Sequence, residues 1–99
     1  MAKYFLTKKA VEDLSRIWNY TYEVWSERQA DKYYESLISA CQNLAENPET
    51  GKPYEEIRKE LYGFRINRHI IFYRVKKSDE IKVVRILHEQ MDLKSRMRE

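Results

Sequence analysis

The sequence predicts an α+β domain in the order β-α-α-β-β-β, with a helical hairpin packed on a mainly antiparallel sheet. Three observations lead there. Residues 61–66, 69–75 and 81–87 are apolar runs rich in β-branched and aromatic side chains, the composition of half-buried strands. Only Asn67-Arg68 and residues 76–80 separate them, too little chain for a parallel crossover, so the three strands form an antiparallel meander. Upstream, two stretches of helical period meet at Ser26 with almost no connecting chain, which makes them a tight antiparallel hairpin.

The elements follow in chain order. Residues 3–7, KYFLT, form a short first strand, and Thr7 marks the change of period as a helix N-cap. How this strand joins the others is not legible. From residue 8 to 25, Ala10, Leu14, Ile17, Trp18, Thr21 and Trp25 recur at the spacing of one helix face. Ser26 and Gln29 form a capping box that opens a second helix, running to about Glu46 with Ala30, Tyr33, Tyr34, Leu37, Cys41 and Leu44 on its stripe. Asn47-Pro48 ends it, because the residue before proline avoids helical angles. Trp18, Trp25, Tyr33 and Tyr34 are expected to fill the hairpin core, leaving Tyr20 and Tyr22 exposed for an interface.

Thr50-Gly51-Lys52-Pro53 is a turn, and residues 54–60 lead into the meander. Alternation in the second strand separates Ile70, Phe72 and Arg74 from His69, Ile71, Tyr73 and Val75. The third strand likewise separates Ile81, Val83, Arg85 and Leu87 from Lys82, Val84, Ile86 and His88. Both faces are thus partly apolar, so both need a cover. The hairpin supplies one, and the second face is expected to be left for a foreign chain. After Met91 the charged residues 92–99 read as a frayed helical turn.

Ninety-nine residues with two glycines and two prolines make a single domain, residues 1–99, with no linker or repeat. No apolar run is long enough to span a bilayer and no signal-peptide core follows Met1, so a cytoplasmic protein is expected. Cys41 stands alone, which excludes a disulfide framework and fits a reducing compartment. The net charge is +3, but residues 57–88 carry nine basic and three acidic side chains while residues 1–56 carry seven and ten. The sheet is the basic half, attractive to nucleic acid or to an acidic polypeptide. Lysines and arginines that merely guard strand edges give the same pattern.

No glycine loop for phosphate, no Ser-His-Asp set and no Cys/His cluster for zinc is present. No catalytic residue, cofactor or metal ligand is therefore assigned. Arg65, Arg74 and Arg85, one per strand, are placed to converge as a clamp for phosphate or carboxylate, with Arg58 extending it. His88 closes the last strand near Glu89 and Asp92, and a hydrogen-bonding role is favoured there over acid or base chemistry. His69, beside a turn, reads as surface.

The order and spacing of several stretches then carry a resemblance. Tyr4-Phe5-Leu6-Thr7, Asp13-Leu14, Ile17-Trp18, Asn47-Pro48, Phe64-Arg65, His69, Ile71-Phe72-Tyr73-Arg74, Arg85-Ile86-Leu87-His88 and Met91-Asp92 together resemble the ParE toxins of the RelE/ParE superfamily over nearly the whole chain. The resemblance implies the RelE/ParE-like toxin fold and a plasmid or chromosomal addiction toxin that inhibits DNA gyrase. It also implies neutralisation by a ParD-like antitoxin, whose disordered, acidic tail folds onto the toxin and through which alone operator DNA is reached. The antitoxin would cover the open sheet face, at Arg58, Arg65, Arg74, Arg85 and Tyr73. His88, Met91 and Asp92 are assigned to the target. RelE-like relatives on this fold cut mRNA in the ribosome, and that activity, or a degenerate toxin that only regulates, stays open because fold does not fix function.

Overall fold

The structure, a computed structural model, describes residues 2–98. Met1 and Glu99, the ends of the expected domain and tail, lie outside the described residues. The elements are β1 (Lys3–Leu6), α1 (Lys8–Val24), α2 (Glu27–Glu46), a 3-10 turn (Pro48–Thr50), β2 (Lys52–Pro53), β3 (Tyr62–Ile66), β4 (His69–Lys77), β5 (Glu80–His88) and α3 (Leu93–Met97). The sheet order is β1-β5-β4-β3-β2. The meander is antiparallel as expected, and β1 joins it as the parallel neighbour of β5, in register from Lys3 opposite Glu80 to Leu6 opposite Val83. Lys52-Pro53, expected as turn, adds a two-residue edge strand against Tyr62 and Gly63, a place where proline costs no ladder bond.

Caps fix the helices. The Thr7 hydroxyl accepts from the Ala10 amide at 3.0 Å and donates to the Val84 carbonyl at 2.8 Å, tying the start of α1 to β5. The Ser26 hydroxyl accepts from the Gln29 amide at 3.1 Å. Between the helices the buried residues are mostly small or branched: Ala10, Leu14, Ala30, Leu37, Ala40 and Cys41. The expected aromatic hairpin core is therefore corrected. Small residues let the helices approach closely, and Trp25, at the end of α1, projects past the contact with 72% of its surface exposed. Trp18 instead stacks on Tyr22 at 5.3 Å and donates to Asp31, while Tyr34 is exposed and Tyr33 half-buried.

The sheet face under the helices buries Ile71, Tyr73, Ile81, Val83 and Ile86 against Leu14, Leu37, Cys41 and Leu44. Strict alternation fails in β5, because Phe72 pairs with Arg85 while Tyr73 pairs with Val83. The extra residue, Val84, is a β-bulge that puts Ile86 on the helix side.

The expected open second face is overturned by its own cover. Ile70, Phe72 and Leu87 are buried with Leu61 and Met97, and Tyr54, Ile57 and Leu93 pack around them. Residues 54–61 fold back through a 2.8 Å bond from the Tyr54 amide to the Leu61 carbonyl. The tail is not frayed: Asp92 caps α3 by accepting from the Ser95 amide and hydroxyl, and Met97 is buried in the second core, where removing its apolar surface from water stabilises the docked helix. One row of this face stays open, Phe5, Lys82 and Arg74, side by side across β1, β5 and β4.

Candidate functional site

The arginines assigned to the antitoxin share the second face but do not form a clamp. Arg65 reaches Glu89 at 2.9 Å, Arg74 lies 3.7 Å from Glu60, and Arg58 donates to the Met97 carbonyl at 3.0 Å. Arg85 is buried, and so is Tyr73, whose hydroxyl donates to the Pro48 carbonyl at 2.6 Å and accepts from the Gly51 amide at 3.0 Å. Burial pushes the Tyr73 phenol up, so it stays a hydroxyl and keeps both bonds. A docking role for Arg85 and Tyr73 is thereby corrected, since neither is reachable.

What holds Arg85 is Asp13, a residue to which the sequence reading gave no role. The Asp13 carboxylate accepts from Arg85 Nε at 2.8 Å, from Arg85 Nη2 at 3.0 Å and from the Ile86 amide at 3.0 Å. A third Arg85 nitrogen donates to the Arg96 carbonyl, so one guanidinium joins α1, β5 and α3. The signal was present: Asp13 falls on the same stripe as Ala10, Leu14 and Ile17, and a carboxylate there has to find a partner.

The accessible chemistry lies instead between the helical hairpin and the β3–β4 turn. A groove of about 760 Å³ is lined by Tyr20, Val24, Trp25, Lys32 and Arg68, with Tyr33, His69 and His88 at its base. It continues along α2 and β3 into a second concavity of about 790 Å³, with which it shares Lys32, Ser36 and Asn67. Two devices shape its floor. Asn67 adopts the left-handed region with φ 54°, which asparagine tolerates, and so turns β3 tightly into β4. Tyr33 Oη and His69 Nδ1 then share a 2.6 Å hydrogen bond across the layers, while the His69 ring meets the edge of His88 at 5.3 Å. His69 is thus a half-buried bridge and not a surface residue.

Burial, helped by His88, pulls the His69 imidazole down to about 4 from 6.5. The folded chain therefore binds fewer protons than the unfolded one in that window, and the stability present above pH 6.5 is lost as pH falls towards 4. The midpoint of thermal unfolding should drop across this range, and His69→Asn should make the drop shallower. An equally steep decline in the variant would remove His69 from the account.

Of the residues assigned to the target, His88 and Met91 line one smaller concavity beside the groove. Asp92 is separate from them and serves α3 as its cap. Side-chain bonds from Ser95 hold its carboxyl below the usual range.

The chain is thus a small α+β domain, a helical hairpin on a five-stranded sheet, with an open groove that carries exposed aromatic residues beside Lys32 and Arg68. The comparisons give the family. A family model described as "ParE toxin of type II toxin-antitoxin system, parDE" matches residues 4–93. The chain is 37% identical over 92 residues to Toxin ParE1 of Mycobacterium tuberculosis, covering 93% of this chain and 94% of that one. In fold it is similar to a structure from the chromosomal ParDE system of P. aeruginosa, with TM-score 0.76, 20% identity and coverage of 89% and 96%. It is also similar to one from the toxin-antitoxin complex RelBE2 of M. tuberculosis, with TM-score 0.65, 16% identity and coverage of 88% and 96%. The chain belongs to the ParE family, the toxins of type II toxin-antitoxin systems.

Proposed function

We propose that this toxin acts in the cytoplasm by inhibiting DNA gyrase without catalysing a reaction itself, and that a ParD-like antitoxin restrains it. The antitoxin lays an acidic, amphipathic segment in the groove between the hairpin and the β3–β4 turn. The observation that carries this is the groove itself: Trp25, Tyr20 and Val24 stand exposed on its wall, 72, 66 and 52% accessible, beside Lys32 and Arg68. Exposed aromatic anchors flanked by cations suit a helix that folds as it binds, apolar on one face and acidic at its rim. His88 and Met91 are the proposed target contacts. His88 lies at the base of that groove and Met91 in the smaller concavity beside it, so an occupied groove covers the His88 contact. Operator DNA is reached only through the antitoxin.

Two features support a binding mode of toxicity. The family is that of ParE toxins, which the resemblance links to gyrase. In addition, Arg58, Arg65, Arg74 and Arg85 are each used within the chain, so they do not gather as cations around a scissile phosphate. One observation favours the alternative of ribosome-dependent mRNA cleavage: the Tyr33, His69 and His88 cluster faces an open groove.

The deciding experiment adds purified toxin to a gyrase supercoiling reaction. Stalled supercoiling or accumulated cleaved DNA is expected. Unaffected gyrase together with codon-positioned cuts in primer extension would establish the nuclease instead. For the antitoxin site, Trp25→Ala should weaken antitoxin binding by at least ~2 kcal/mol, the scale of an aromatic hot spot. Calorimetric titration measures this, and unchanged affinity would remove the groove as the docking site.

A further inference from the structure

The second sheet face has two halves. Residues 54–61 and α3 close one of them over Ile70, Phe72 and Leu87, while the end made by β1 and the start of β5 is uncovered. Two rows of side chains stand there, each crossing β1, β5 and β4: Phe5, Lys82 and Arg74 in one, Lys3, Glu80 and Lys77 in the other. The irregularity between Val75 and Lys77 returns Lys77 to the face that Arg74 occupies. Strand and residue spacings put the Cα atoms of both rows within a patch of roughly 10 by 7 Å. Lys3, Lys77 and Lys82 are exposed, and among the described residues none of them is in an ion pair. Arg74 reaches Glu60 at 3.7 Å, a long contact to an exposed carboxylate that exchanges readily for another anion. Glu80, half-buried between Lys3 and Lys77, is the one carboxylate in the two rows. Phe5 sits among these cations with 51% of its surface exposed and belongs to neither core. Lysines suffice to guard the free edge of β1. A guarded edge gains nothing from an open aromatic ring, so edge protection accounts for the lysines and not for Phe5.

We infer that this end of the sheet is a contact surface for single-stranded nucleic acid, with a base stacked on Phe5 and the flanking phosphates paired with Lys3, Lys82 and Arg74. Cations spread over a flat surface around one open ring are what such a strand requires, because each nucleotide brings a negative charge and an unpaired π-face together. An acidic peptide satisfies only the cations, and in a duplex the base faces are already stacked on each other. The contact reads no base order, so it is separate from operator recognition. It depends on neither the antitoxin nor gyrase, and it lies at the opposite end of β5 from His88.

The test titrates the whole chain into a fluorescein-labelled oligothymidylate of about 12 nucleotides, within the ~4–16 that small single-strand-binding folds cover, and follows fluorescence anisotropy. Binding should weaken with salt between ~50 and ~200 mM, with a slope of log K on log salt of about −2, the value for three phosphates on a single strand. Lys82→Gln should lessen that slope by about 0.7. Phe5→Leu, which keeps an apolar side chain but removes the ring, should weaken binding about fivefold or more and leave the slope unchanged. Both side chains are exposed, so neither change removes core packing. Arg28→Gln, a cation lost from the exposed start of α2, should leave affinity and slope nearly unchanged. Absence of binding at ~50 mM salt, or equal affinity for a duplex of the same length or for polyglutamate of matched charge, would overturn the inference. So would a Phe5→Leu chain that binds as well as the unaltered one, or a Lys82→Gln chain with the same affinity and slope.

Discussion

Replacing Asp13 by alanine is expected to lower the unfolding free energy by about 3–5 kcal/mol, because it strands a buried charge. Asp13 is only 2% exposed and Arg85 5%, and the carboxylate satisfies two guanidinium nitrogens and the Ile86 amide at once. Its loss leaves Arg85 without its main counter-charge and a strand amide without an acceptor. For a domain whose total stability falls in the usual range of about 5–15 kcal/mol, that is enough to populate the unfolded state. The pair as a whole is worth much less than this figure, since burying both ions has its own desolvation cost. An Asp13→Leu, Arg85→Met double variant should therefore recover much of the loss. It should still loosen α3, which loses the Arg85 bond to its Arg96 carbonyl while Met97 stays packed in the core. Urea unfolding of both variants measures this, and a loss under about 1 kcal/mol for Asp13→Ala would show that the ion pair is solvated.

The second large effect is expected from Phe72→Ala, about 3–5 kcal/mol, the range for truncating a buried aromatic. Phe72 is fully buried, on the face opposite the helices, against Leu61, Leu87 and Met97 and edge-on to the Tyr54 ring at 5.2 Å. The same substitution discriminates between two ideas of that face. Were it a docking surface kept open for a partner, the truncation would weaken antitoxin binding and leave the free toxin's stability nearly unchanged. As a second core, it should destabilise the free toxin and leave affinity at the groove within about a factor of three once folded protein is compared. Gly63 belongs to the same packing: a Cβ there would meet the Tyr54 ring at 2.6 Å, so even alanine displaces that aromatic lid.

What could be read from the chain alone was whatever depends on short stretches. The period of residues 10–25 and 30–44, the Thr7 and Ser26 caps and the two tight hairpin connections fixed the element order. Local steric and hydrogen-bond preferences suffice for that. The motif order also sufficed to reveal the family resemblance. The site was less legible, for reasons visible at single residues. Arg65, Arg74 and Arg85 do lie on one face, yet alternation cannot reveal that Glu89, Glu60 and Asp13 claim them. Trp25 sits on the right helical phase for a core residue but one turn too far along the hairpin to reach it.

The amino-acid sequence by itself determined two helices, three central strands, a basic sheet and a ParE-like order of motifs. Only the tertiary structure decided that the tail and residues 54–61 close the second face, that β1 joins β5 in parallel, and that the accessible groove lies beside the hairpin. The physical reason is range. Caps, periods and turns act over a few residues, whereas the Asp13–Arg85 bond spans 72 positions and the Tyr33–His69 bond spans 36, and contacts that distant are set by packing and charge satisfaction after the elements have formed.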